Sequence, residues 1–132
     1  MNQNIWEPCD IEVFPNFFSY IGFDIQNKKW NVFVISEWRN DYLELYNHIK
    51  NKNRILVGYN IDNYDYPVLH HLVNHFEEYR RMPGWKLAMN IKNKSDSVLS
   101  NDFNTVADRN KHCLVIDLFT MWHFNNLAKL TS

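Results

Sequence analysis

The stretch WNVFVISEWRNDYLELYNHIKNKNRILVGYN, residues 30–60, changes its hydrophobic period twice. Residues 30–36 are a mostly apolar run of β-formers and read as a strand. Tyr42, Leu45, Tyr46 and Ile49 then fall at i, i+3, i+4 and i+7, which is one helical face, with Asn40 or Asp41 placed to cap it. Residues 54–60, RILVGYN, are short and apolar again, as expected of a buried strand. Strand, helix and strand in succession point to a sheet with helices packed on it, and the flanking sequence decides its kind.

Upstream, residues 6–14 read as a strand. Residues 17–25, FFSYIGFDI, read as a second, half-buried one, with Ile21, Phe23 and Ile25 alternating with Gly22 and Asp24. QNKK, 26–29, is a turn, so the first three strands form an antiparallel meander. Downstream, Leu69, Leu72, Val73 and Phe76 mark a second helical face within residues 61–82. Pro67 suits its first turn, and Pro83–Gly84 closes it. Residues 85–111, polar and rich in Asn and Ser, read as a long excursion holding at most a small hairpin or helix. HCLVIDLF, 112–119, is a buried strand, and FTMWHFNNLAKL, 119–130, a final helix. The order β-β-β-α-β-α-loop-β-α gives an α/β protein with a mixed sheet, in a single domain over residues 1–132.

Composition narrows the function. The chain is 45% hydrophobic and 16% aromatic, which implies a packed globule. Lys and Arg number 14 against 15 Asp and Glu, for a net charge of −1, which excludes a strongly basic nucleic-acid wrapper. It leaves open an enzyme that grips phosphates through metal ions. Two cysteines, Cys9 and Cys113, form neither a disulfide framework nor a zinc knuckle, so a reducing cytoplasm is the expected setting. No apolar run approaches a membrane span, and the N-terminus lacks the pattern of a signal peptide.

DIEVFPN, 10–16, carries the chemistry. In a strand Asp10 and Glu12 share a face while Ile11 and Val13 take the other. Like charges side by side raise each other's proton affinity. This element order resembles that of the ribonuclease H-like fold, and in that topology the first and fourth strands are expected to be neighbours. Asp65, at the start of the helix after the fourth strand, would then lean toward Asp10 and Glu12. Three converging carboxylates suit Mg²⁺ or Mn²⁺. Two such ions about 3.5–4 Å apart activate a water and stabilise a leaving oxygen.

DIE at 10–12, with GYNIDNYDYPVL at 58–69, resembles the first and second exonuclease motifs of family B DNA polymerases. LVIDLFTMW, 114–122, is similar to the segment where that family enters its next strand and helix. The resemblance covers about residues 5–132. It implies the ribonuclease H-like fold and a DEDD-class 3′→5′ proofreading exonuclease of DNA replication. The setting it suggests is the cytoplasm of a bacterial or phage-infected cell. Carried over by position, Asp10, Glu12 and Asp65 are its metal ligands, with Mg²⁺ or Mn²⁺ in a two-metal site. Asn60 and Tyr64 hold the single-stranded DNA 3′ end, and Phe14 lines the same cleft. The family's third motif, Tyr-x-x-x-Asp, is expected after the last helix, where the sequence reads only AKLTS. The expectation is therefore a domain incomplete at its C-terminus. The remainder of a polymerase or a second copy would be its partner. The alternatives are an inactive remnant that binds nucleic acid or a protein, and a related nuclease acting on RNA.

Other groups read more simply. Asp117 caps the last helix or is a buried, hydrogen-bonded acid, and is the weaker candidate for a fourth ligand. Asp62 stabilises the turn or the helix start. His71 and His75, at i and i+4, lack the third ligand of a zinc site and read as surface histidines. His123 reads as structural and Cys9 as a small buried thiol. Arg80, Arg81, Lys86, Lys92 and Lys94 form a modest basic stretch.

Overall fold

The computed structural model describes residues 4–100 and 105–120. Five strands form one sheet: β1 (Ile5–Phe14), β2 (Phe17–Asp24), β3 (Lys29–Ser36), β4 (Arg54–Gly58) and β5 (Leu114–Asp117). Their order across the sheet is β3-β2-β1-β4-β5. The first three are antiparallel, whereas β4 runs parallel to β1 and β5 parallel to β4. The protein is thus α/β with a mixed sheet, and the first and fourth strands are neighbours as the sequence predicts. Four helices connect these strands: α1 (Tyr42–Ile49), α2 (Asp65–Asn74), α3 (Phe76–Tyr79) and α4 (Gly84–Leu99). None is long and apolar enough to cross a membrane.

Alternation assigns the faces. Ile11 pairs with Tyr20 and Tyr20 with Phe33, while Val13 pairs with Phe18 and Phe18 with Ile35. These residues and Leu56 join the buried faces of α1, α2 and α4 in a single core. The opposite face carries Trp6, Asp10, Glu12, Phe14, Ile21, Trp30 and Val32, all exposed. Ile55 is buried there between Trp6 and Leu114, outside the main core.

Three expectations are corrected. In β2 the phase is reversed: Phe18, Tyr20, Gly22 and Asp24 point inward, and Ile21 and Ile25 are exposed. Glycine is needed at 22 because a Cβ there would lie 2.4 Å from the Glu7 carboxylate. Asp24 is stabilised in its buried place by the Asn27 backbone amide and side-chain amide, at 2.9 and 2.8 Å. The helix expected over 61–82 breaks at His75, whose φ of −110° and ψ of 34° separate α2 from α3. The polar segment after Gly84 is α4, a 16-residue helix lying across β1, β2 and β3. Leu87, Ala88, Ile91, Ser95 and Val98 make its buried stripe, and the many Lys, Asn and Ser residues are mostly its outer surface. Composition hid a pattern that spacing contained. The expected final helix begins at Leu118–Thr120, and its remainder lies outside the described residues.

Candidate functional site

β4 is shorter than β1. The parallel pairing ends at Pro8↔Val57, so beyond Pro8 the β4-facing edge of β1 is open. α2 starts beside that opening, and its first residue, Asp65, fills it. The Asp65 carboxylate accepts the Ile11 amide at 3.3 Å. Asp65 is buried, whereas Asp10 is exposed on the adjoining strand. Burial, and next the Asp10 carboxylate hydrogen-bonded to it, push the Asp65 carboxyl up to about 7, with the Ile11 amide opposing the rise in part. Asp10 and Asp65 therefore meet at the open edge of the sheet, and the buried Asp65 carboxyl favours its protonated form. Glu12 lies two residues further along the same exposed face of β1. Asp10 and Glu12 are both exposed on that face, and Asp65 is the buried member of the three. Among the described residues no group of three His, Cys, Asp or Glu side chains is close enough to hold a metal ion. The Asp10–Asp65 pair alone is the nearest donor set, hard and anionic, and of the kind Mg²⁺ or Mn²⁺ prefers.

The loop between β4 and α2 is held from a distant strand. Asp117, buried at the end of β5, accepts the amides of Asn60 at 2.9 Å and Asp62 at 3.1 Å. It also accepts the Phe119 amide at 2.9 Å, so it starts the following helix as well. This is the capping role the sequence assigns to it. Asn60 adopts a φ of 60°, a left-handed conformation that Asn tolerates better than most residues. Its side-chain oxygen accepts from Asn63 at 2.9 Å. Asp62 binds Lys111 at 2.7 Å, and Lys111 also reaches Asp108, so Asp62 supports the turn.

The expected substrate residues are spread out. Phe14 is 52% exposed and stands two residues beyond Glu12 on the same face. Tyr64 is half-buried, with its hydroxyl hydrogen-bonded to Ser95 of α4 at 2.6 Å. Tyr59 is exposed and meets Phe119 edge-on at 5.3 Å between ring centroids. The cleft lined by Lys52, Asp108, Lys111, His112, Cys113 and Leu114 includes none of the three acids.

The His71 and His75 rings lie 4.0 Å apart between centroids, tilted by 37°. His71 also bonds the Tyr79 hydroxyl at 2.6 Å, and His75 bonds the His71 carbonyl at 2.9 Å. Burial, then His75, lower His71 to about 4. Burial raises the Cys9 thiol far above its ordinary value, which leaves it unreactive.

One buried group was missed in the sequence. Glu7 is fully buried and gathers donors from four other elements. One oxygen takes the Tyr20 hydroxyl and the His48 ring at 2.5 Å; the other takes Arg54 at 2.8 Å and Asn31 at 2.6 Å. Burial works to raise its pKa, but the hydrogen bonds from His48 and Tyr20 and the charges of His48 and Arg54 outweigh it and hold it below the ordinary range. The signal was present in the period: Glu7 shares the inward phase of Cys9, Ile11 and Val13.

No protein-family model matches the chain, and no curated protein or solved structure shows significant similarity to it.

Proposed function

We propose that this chain is a ribonuclease H-like exonuclease domain of the family B DNA polymerase type. In this reading it hydrolyses phosphodiester bonds at single-stranded DNA 3′ ends. The observation that carries the reading is the meeting of Asp65, from the start of α2, with Asp10 of β1 at the open edge of the sheet. The β3-β2-β1-β4-β5 order is consistent with it. Asp10 and Asp65 would hold a divalent cation, with Glu12 turning in from the same face. Bound there, Mg²⁺ or Mn²⁺ supplies the charge neutralisation that phosphodiester hydrolysis requires. Asp65 would give up its proton on holding a cation, and Asn60, Tyr64 and Phe14 would contact the terminal nucleotides.

The test is release of the 3′ nucleotide from a labelled single-stranded oligonucleotide, with Mg²⁺ and with chelator. Metal-dependent release lost in Asp10→Ala/Glu12→Ala and in Asp65→Asn is the expected result. Release at equal rates in wild type and variants sinks the reading. A non-hydrolytic remnant that binds nucleic acid or a protein is the second reading. It is favoured by Tyr64, whose hydroxyl is engaged by Ser95. It predicts no release under any condition.

A further inference from the structure

Tyr66, His70 and Asn74 follow one another at four-residue spacing and so share one face of α2. That face holds His112, from the segment that leads into β5. The His112 backbone amide donates to the Tyr66 hydroxyl at 2.8 Å. Its ring Nε2–H donates to the Asn74 side-chain oxygen at 2.9 Å. Held at these two points, the His112 ring lies against His70, with centroids 4.9 Å apart and planes tilted by 30°. His70 is oriented as well, because its Nδ1 meets the Tyr66 hydroxyl at 3.1 Å. One nitrogen of each ring, Nε2 of His70 and Nδ1 of His112, is left without a partner among the described residues.

The spacing of the rings has a chemical meaning. A metal–nitrogen bond of about 2.0–2.1 Å puts a ring centroid about 3.2 Å from the ion. Two imidazoles bound at roughly 90–110° to each other then have centroids about 4.5–5.2 Å apart. His70 and His112 fall inside that range, whereas His71 and His75, at 4.0 Å, are too close to share an ion. A second nitrogen bonded to an oxygen, as on both rings, is the arrangement that orients histidine ligands. Burial, then His112, holds His70 below its ordinary 6.5. Burial, then Lys50, does the same to His112, so both rings are neutral at pH 7 and keep their lone pairs. Cys113 is raised to about 11 by burial and stays a thiol, so it does not compete as a ligand. Lys50 opposes a cation here, while Lys111 is already paired with Asp62 and Asp108. The cleft that His112 lines, about 190 Å³ in volume, leaves room for water ligands beside that ring.

We propose that His70 and His112 hold a transition-metal ion, Zn²⁺ or Cu²⁺, as a clip between α2 and the segment entering β5. Imidazole suits these ions, whereas Mg²⁺ and Mn²⁺ prefer oxygen. Two protein ligands are fewer than the four of a closed structural zinc site, so water completes the shell and the ion is exchangeable. The clip joins the helix that begins with Asp65 to the strand that ends with Asp117, and it stabilises the fold by mass action. It stands independently of the exonuclease reading.

The experiment titrates the untagged chain with Zn²⁺ and Cu²⁺, following melting temperature and the paramagnetic broadening of amide signals by Cu²⁺. Zn²⁺ should raise the melting temperature, and Cu²⁺ should broaden signals first around His70 and His112. Asn74→Ala, which frees the His112 ring but keeps both ligands, should weaken binding about tenfold. His70→Gln and His112→Gln should each weaken it further. His71→Gln/His75→Gln and Asp10→Ala/Glu12→Ala should bind as wild type, and excess Mg²⁺ should not compete. The proposal is overturned if broadening centres on another histidine or on the acids, or if wild type gives no saturable response to either ion. It is equally overturned if His70→Gln or His112→Gln, melting as wild type in chelator, binds as tightly as wild type. The wild-type broadening map decides the matter even where a variant folds poorly.

Discussion

Asp65 accepts the Ile11 amide at 3.3 Å across 54 residues of sequence. One contact therefore closes the edge of β1 that β4 leaves open, ties the first residue of α2 to it, and sets a buried carboxyl beside Asp10. It also fixes how stability should vary with pH. The Asp65 carboxyl is raised, by burial first and by Asp10 second, from an ordinary 3.8 to about 7. A raised acid favours the folded state while protonated. Its contribution is whole below about pH 4 and is lost as pH rises through 7. Asp65→Asn keeps an acceptor for Ile11 without the charge. The variant should match wild type near pH 4 and be more stable near pH 8 by about 2 kcal/mol, less than the full linkage because Asp10 is exposed. Urea unfolding at both pH values measures this. A variant less stable at pH 8 would show that the charge is already compensated.

Glu7 should behave in the opposite sense. Its carboxyl is held below the ordinary range, so its contribution is present above about pH 4.5 and lost as pH falls through the lowered value. Glu7→Gln leaves Arg54 buried without its counter-charge. The expected loss is about 3–5 kcal/mol near neutral pH, the range for breaking one side of a buried ion pair. Denaturant midpoints for Glu7→Gln and the Glu7→Gln/Arg54→Met pair check it, the second change recovering part of the loss.

The Asp117 carboxylate satisfies three backbone amides. Asn offers a single oxygen in its place. Asp117→Asn should cost about 1–3 kcal/mol, the penalty of leaving buried donors unmet. Hydrogen exchange should accelerate at Asn60 and Asp62 before it does in β1 or β2. Uniform acceleration throughout the sheet would instead mean that Asp117 supports the whole fold.

Gly84→Ala tests the seat of α4. Its Cβ would meet the Ser36 carbonyl at 2.0 Å, and backbone cannot move aside cheaply. A loss of about 1–3 kcal/mol is expected from this overpacking. Unchanged melting would place the start of α4 away from β3.

The succession of strands and helices was legible because the period changes after residue 36 and again near residue 54; the adjacency of β1 and β4 was expected from the topology that this succession resembles. The Asp10–Asp65 meeting was legible because it needs only adjacent strands and a helix start. The β2 phase was not. Ile21, Phe23 and Ile25 outscore Tyr20, Gly22 and Asp24 in hydrophobicity, yet Gly22 faces inward to clear Glu7, and Asp24 follows it. What decided that phase is a polar cluster drawn from five separate segments, and no local window contains it. Tyr64 escaped for a similar reason: its partner Ser95 lies in a helix masked by its own polar exterior.

The Asp117 anchor also sets an order in time. It follows Asn60 by 57 residues. A ribosome adding about 5–20 residues per second needs roughly 3–11 s to span that gap. Throughout that interval β1, β2 and β3 can pair, because their contacts are local. The loop that carries Asn60 and leads to Asp65 has emerged without the carboxylate that holds its amides. The loop of Asn60 and Asp62 therefore gains its anchor only after the meander that frames it has emerged. A ribosome-bound chain stalled just before Asp117 emerges would carry the sheet's first half with an unanchored corner.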